Sequence, residues 1–220
     1  MQSNFDPAQP PLINAAVALR KLSQAASPPL AIVRRLADER LLAVVDVAGR
    51  KVRTTRPLEG LTDELASGAA EFGVLDRSGL PTPGPGGVRL SDDSYTRFCW
   101  VVGSRLGRES GLAPWLEAVS TFRLATEPAY AELGASEADA RALCQVIATR
   151  ALSVTAIVDS AQLAQRTVFE VINALSLSGL LATEKLARPR AAKPKLIPVE
   201  GEPPKKKNPL DRILFRVRGG

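Results

Sequence analysis

Residues 152–182, LSVTAIVDSAQLAQRTVFEVINALSLSGLLA, constrain what this chain can fold into more than any other stretch. Leu152, Ile157, Leu163, Val168, Ile172, Leu175 and Leu180 recur at spacings of three to six. Strict three-and-four spacing from Val168 to Leu175 predicts one apolar helical face. A short helix over 154–159 precedes it, with Ser153 as N-cap. Residues 160–163 are the turn. The second helix starts near Ala164 and carries Gln165, Arg166, Thr167, Glu170 and Asn173 outward. Ser178-Gly179 ends it, because glycine accepts the left-handed conformation common after a helix. Leu180-Leu181-Ala182 then begins a strand.

Upstream, Ser136 with Glu137 and Asp139 caps a helix that runs to about Arg150. Its Leu143, Val146 and Ile147 face the second helix. Residues 166–181, RTVFEVINALSLSGLL, resemble the winged helix-turn-helix superfamily: a polar helix start, Thr-Val, two outward residues, an apolar pair, then Leu-x-x-x-Gly-Leu. The resemblance covers Ser136 to about Val199. It implies DNA reading by Gln165, Arg166, Thr167 and Asn173 on the recognition helix. It also implies a wing built from 180–186 and 196–199 with a basic tip, in which Arg188, Arg190, Lys193 and Lys195 contact phosphates. Pro189, Pro194 and Pro198 work against a regular hairpin there, since proline cannot donate to a ladder. The outward pair is Phe169-Glu170. A carboxylate is repelled by phosphates but can accept from a cytosine amino group. The same pair suits a protein partner, and Phe169 can equally pack within the chain.

Charge is uneven. The net charge is +6, and residues 185–220 hold eleven basic and three acidic side chains, leaving −2 for the rest. Such a basic end suits an anionic polymer, and Lys205, Lys206 and Lys207 extend the phosphate contacts expected of the wing. A solvated tail that keeps the chain soluble is the plainer alternative. Residues 201–209, GEPPKKKNP, form an extended linker. LDRILFRV after it docks as a helix or as an edge strand.

The rest of the chain reads as a small α/β part. Residues 12–25 form an amphipathic helix with Leu12, Ala15, Ala16, Leu19 and Leu22 on one stripe. Residues 30–38 fit a helix or a strand. Residues 41–47 are a strand that pairs with 51–55 as a hairpin. A helix is expected over 61–72, starting at Thr62 with Asp63 and Glu64, and a short strand over 73–75. SGLPTPGPGG is a loop without the Gly-Lys-Ser/Thr of a phosphate cradle. Helices are expected over 91–106, with Asp92 and Asp93 in the first turn, and over 114–125. Aromatic residues make up only 5% of the chain, so the core is aliphatic.

The chain has no histidine. That removes Ser-His-Asp and Cys-His systems and His-ligated metals. Two isolated cysteines, Cys99 and Cys144, read as buried small hydrophobes. Adjacent carboxylates such as Asp38-Glu39 read as caps or solvated charge. No cofactor or enzymatic activity is expected, and no membrane span or export signal.

The expected fold class is α+β. It comprises an N-terminal α/β domain over 1–126 for sensing or dimerisation, a winged helix over 136–199, and a basic tail over 200–220. The expected protein is a cytoplasmic DNA-binding transcriptional regulator. The alternative is a non-enzymatic interaction or scaffold module that presents Phe169 and Glu170 to a partner protein.

Overall fold

Two neighbouring rows of small and branched side chains define the sheet. Ala31, Val45 and Val52 lie side by side across three strands, as do Val33, Ala43 and Thr54. All six are buried. The structure is a computed structural model and describes residues 8–75, 90–117, 121–133 and 137–184.

In chain order the elements are α1 (Pro11–Gln24), β1 (Leu30–Arg35), β2 (Leu41–Asp46), β3 (Lys51–Thr54), α2 (Leu58–Ser67), β4 (Ala70–Leu75), β5 (Ser91–Ser94), α3 (Tyr95–Ser110), β6 (Thr121–Leu124), α4 (Glu137–Thr149), α5 (Val154–Ala161), α6 (Gln165–Leu177) and β7 (Leu181–Glu184). A 3₁₀ turn, Tyr130–Glu132, precedes α4. Helices and antiparallel sheet are mixed, an α+β arrangement. Strands β4-β1-β2-β3-β5 form one antiparallel sheet, and β6 pairs with β7 in a second.

The α1 stripe forms as its spacing predicts: Leu12, Ala15, Ala16, Leu19 and Leu22 are buried. Residues 30–35, open to two readings in the sequence, are a strand between β2 and β4. The β2–β3 hairpin also forms. Its turn is held by the Gly49 N–H donating to Asp46 Oδ1 at 2.8 Å, with Arg50 at φ +52°. A Cβ on Gly49 would lie 2.5 Å from Asp46 Oδ2, so the turn is tight against that carboxylate.

Three expected helices are corrected. The helix of 61–72 is α2, Leu58–Ser67, and starts after Pro57. Gly68 at φ +74° ends it, and the Ala69 N–H donates back to the Glu64 carbonyl, so residues 70–75 are released to pair with β1. The helix of 91–106 loses its first turn to β5. Residues 91–94 supply backbone partners to the open edge of β3, placing Asp92 and Asp93 on a strand. Ser94 then caps α3 by accepting from the Arg97 N–H at 3.3 Å. In 114–125, Pro114 begins a turn, and Thr121–Leu124 is a strand between β7 and Leu152.

Among the described residues, core packing continues across residue 126. Core side chains from α1, the large sheet, α3 and α4–α6 belong to one cluster, and Met1–Leu186 is one compact unit. Helix α3 lies along α6. A Cβ on Gly103 would sit 2.5 Å from the backbone N and Cα of Ala174, and one on Gly107 would sit 2.4 Å from the Glu170 backbone N. The two helices meet backbone to backbone at a four-residue spacing, which only side chains without a Cβ allow. Among the described residues no helix is long and apolar enough to cross a membrane.

Candidate interaction site around helix α6

Local signals place α5 and α6 where the sequence predicts them. Ser153 caps α5 by accepting from the Ala156 N–H at 3.3 Å. Residues 162–164 link the helices, with Gln162 in the left-handed region. Gly179 at φ +74° closes α6, and the Leu180 N–H donates to the Leu175 carbonyl at 2.9 Å. Val168, Ile172 and Leu175 are fully buried.

The outward residues fare differently. Gln165 and Arg166 are exposed at the start of α6, and Thr167 is half-buried. Asn173 does not face outward, which corrects its expected place in a DNA groove. It is 0% exposed; its Oδ1 accepts from the Ala113 N–H at 2.9 Å and its Nδ2 donates to the Gly111 carbonyl at 2.8 Å. The cause is α3. Packed along α6, it carries residues 111–113 over the Asn173 side chain. Trp115 extends this contact, with its Nε1–H donating to Ser176 Oγ at 3.0 Å.

Phe169 and Glu170 are also engaged within the chain. The Phe169 ring lies beside Gly111, 3.8 Å from the point where a Cβ would stand. Glu170 is 17% exposed and accepts from Arg108 Nε at 3.4 Å and Nη2 at 3.2 Å; Arg166 Nε lies 3.7 Å away. The hydrogen bond to Glu170, with its charge, raises the Arg108 pKa. Two guanidiniums thus flank one carboxylate at the exposed first turn. Arg108 is half-exposed, so the pair is screened by water; Glu170→Gln is expected to cost at most about 1 kcal/mol in a urea titration.

Sequence reasoning missed Gly103, Gly107 and Arg108. The signal was present in VVGSRLGRES as two glycines four apart on one helical face, followed by a cation one residue later. One strand partner of β7 was not expected from the sequence. β7 pairs with β6, which comes before α4 in the chain, with Leu181 opposite Leu124. The other edge of β6 exchanges both backbone hydrogen bonds of Phe122 with Leu152. Residues 185–199 of the expected wing, with Arg188, Arg190, Lys193 and Lys195, lie outside the described residues, as do Lys205, Lys206 and Lys207.

Among the described residues no His, Cys, Asp and Glu side chains gather as a metal site. Cys99 and Cys144 are free and buried, and burial pushes their thiols up to about 12 and about 11. At neutral pH both are therefore expected to resist iodoacetamide until the chain unfolds; labelling of the native protein at a free-thiol rate would contradict their burial. With the folded pKa raised, these thiols cost no stability below the unfolded value near 9. Above it, each thiol removes up to about 1.4 kcal/mol per pH unit until its folded pKa is reached.

No family model, curated protein or solved structure matches the chain.

Proposed function

We propose that this chain is a non-enzymatic interaction protein in which a winged-helix-like unit serves as an internal dock. One observation carries the reading: the face of α6 that a DNA reader turns toward the groove is packed on α3, and Asn173 is consumed by residues 111–113. What α6 still offers to a partner is its first turn, Gln165 and Arg166, bordered by the Arg108–Glu170 pair. A protein surface with its own acidic and polar groups suits this small mixed-charge patch better than a polyphosphate does. The likeness to the winged helix is supported by the order of α4, α5 and α6 and by the short strands β6 and β7 beside them.

A second reading, a DNA-binding regulator of transcription, is favoured by a specific observation. Gln165 and Arg166 are exposed at the N-terminal end of α6, the end from which recognition helices reach base edges. In that reading the basic side chains beyond residue 185 hold phosphates.

Duplex DNA affinity measured across a salt series, with and without residues 201–220, separates the two. The interaction reading expects binding that is weak or disappears with the tail, and no response to Arg166→Ala combined with Arg188→Ala. Affinity that survives truncation, and falls by about 1–3 kcal/mol in Arg166→Ala, would establish the DNA reader instead.

A further inference from the structure

Among the described residues, β4, β5 and β7 each present an edge that no strand covers. Short, charged edges resist pairing with another chain. Strand β5 is four residues, SDDS, with two adjacent carboxylates. Strand β7 is also four residues, LATE, ending on a carboxylate. Strand β4 lacks both protections. It is six residues, AEFGVL, with Glu71 as its sole charge and with neither proline nor lysine. Its register with β1 is unbroken, whereas the β1–β2 register shifts between Val33 and Arg34. No bulge therefore twists the β4 edge away.

Hydrogen bonds at the end of β1 fix which backbone groups β4 turns outward. The Arg35 N–H donates to the Arg40 carbonyl at 2.9 Å, on the β2 side, and the Leu36 N–H donates to the Ala69 carbonyl at 2.8 Å. Successive residues of an antiparallel strand turn their N–H and C=O groups to alternate sides. Arg34 and Ile32 thus turn to β4, and their partners Glu71 and Gly73 turn to β1. Phe72 and Val74 turn the other way, where no described strand lies. Ala70 also turns outward, but it is only 5% exposed, so that end of the edge is closed. The Phe72 ring is engaged inside, 6.2 Å from that of Phe98. Between Phe72 and Val74 stands Gly73, and glycine inside a strand often marks a place where another backbone comes close.

We infer that β4 pairs antiparallel with β4 of a second copy of this chain, about a two-fold axis at Gly73. Phe72 then lies opposite Val74 of the second copy, and Val74 opposite Phe72. Each of these pairs exchanges both N–H···O bonds. Gly73 meets Gly73 at the closer, non-hydrogen-bonded position, with Cα atoms about 4.5 Å apart. Glu71 falls opposite Leu75, so no like charges face each other. The same groups serve both copies reciprocally, so the interface closes on itself as a dimer. The inference is independent of what α6 binds.

Sedimentation velocity of the full-length chain over a concentration series tests it, and a monomer–dimer equilibrium is expected. Val74→Pro removes an outward N–H from each copy and leaves the β1 ladder intact, since proline is accepted on an edge. It should raise the dimer Kd about tenfold with an unchanged far-UV circular dichroism spectrum. Cysteine substitutions read the register without relying on the proline variant. Gly73 is not in the left-handed region, so it accepts a side chain. Gly73→Cys should form a disulfide between copies under mild oxidation, seen as a dimer band on a non-reducing gel, because its spacing suits the bond. Glu71→Cys, opposite Leu75, should not. The native Cys99 and Cys144 are buried. Three results would overturn the inference. One is a chain that stays monomeric at about 100 μM, where even a weak micromolar dimer is formed. Another is a dimer that a folded Val74→Pro chain forms as tightly as the parent. The third is a Gly73→Cys chain that crosslinks no better than Glu71→Cys.

Discussion

Asn173→Ala is expected to destabilise the protein by about 2–4 kcal/mol. The substitution removes the acceptor of the Ala113 N–H and the donor to the Gly111 carbonyl. Ala113 is 1% exposed and Gly111 half-buried, so water reaches these orphaned groups poorly. Each unsatisfied buried group costs about 1–3 kcal/mol. Urea unfolding should show the midpoint falling with the slope unchanged, since the surface exposed on unfolding stays the same. A loss under about 0.5 kcal/mol would be the behaviour of a surface residue. It would return Asn173 to the outward position that a groove-reading helix requires, and with it the DNA reading would regain its main argument.

The second large effect has a sign opposite to the one helix propensity predicts. In an exposed helix, Gly→Ala stabilises by about 1 kcal/mol. Gly107→Ala in α3 is expected to destabilise by about 3 kcal/mol, because the new methyl meets the backbone N of Glu170 at 2.4 Å and its Cα at 2.5 Å. Neither atom can rotate away as a flexible side chain would, so the helices must separate. That separation also loosens the Arg108–Glu170 fork and the seat of Asn173. Gly103→Ala acts at the same seam, against Ala174. Because one displacement of α3 relieves both clashes, the double substitution should cost less than the sum of the single ones. A Gly107→Ala protein that melts higher than the parent would refute the backbone contact between α3 and α6.

Both effects concern a seam that the sequence shows only in part. The limits of α5 and α6 were legible, since Ser153 and Gly179 act on backbone groups within a few residues of themselves. So was the buried stripe of Val168, Ile172 and Leu175. The outward face was misread at Asn173. Helical periodicity identifies which residues share a face, but a polar residue on that face looks the same whether water or residues 111–113 receive its hydrogen bonds. The pairing of β7 with β6 was not legible for a similar reason. β7 was visible as an apolar start after a glycine. Its partner, β6, lies far upstream in a stretch whose local pattern favours a helix.

By itself the sequence determined the elements whose causes are local: the α1 stripe, the β2–β3 hairpin with its Asp46–Gly49 turn, and the start and stop of α6. Capping groups, left-handed glycines and residue periodicity act over one or two turns of chain and need no distant partner. Only the tertiary structure decided that residues 70–72, 91–94 and 121–124 become strands. Each meets an open backbone edge supplied from elsewhere in the chain, and pairing with that edge outweighs local preference. It also decided that α6 is lined by α3 on the side expected to read DNA. Two glycines bring the helix backbones together there, and the free surface of α6 is reduced to its first turn.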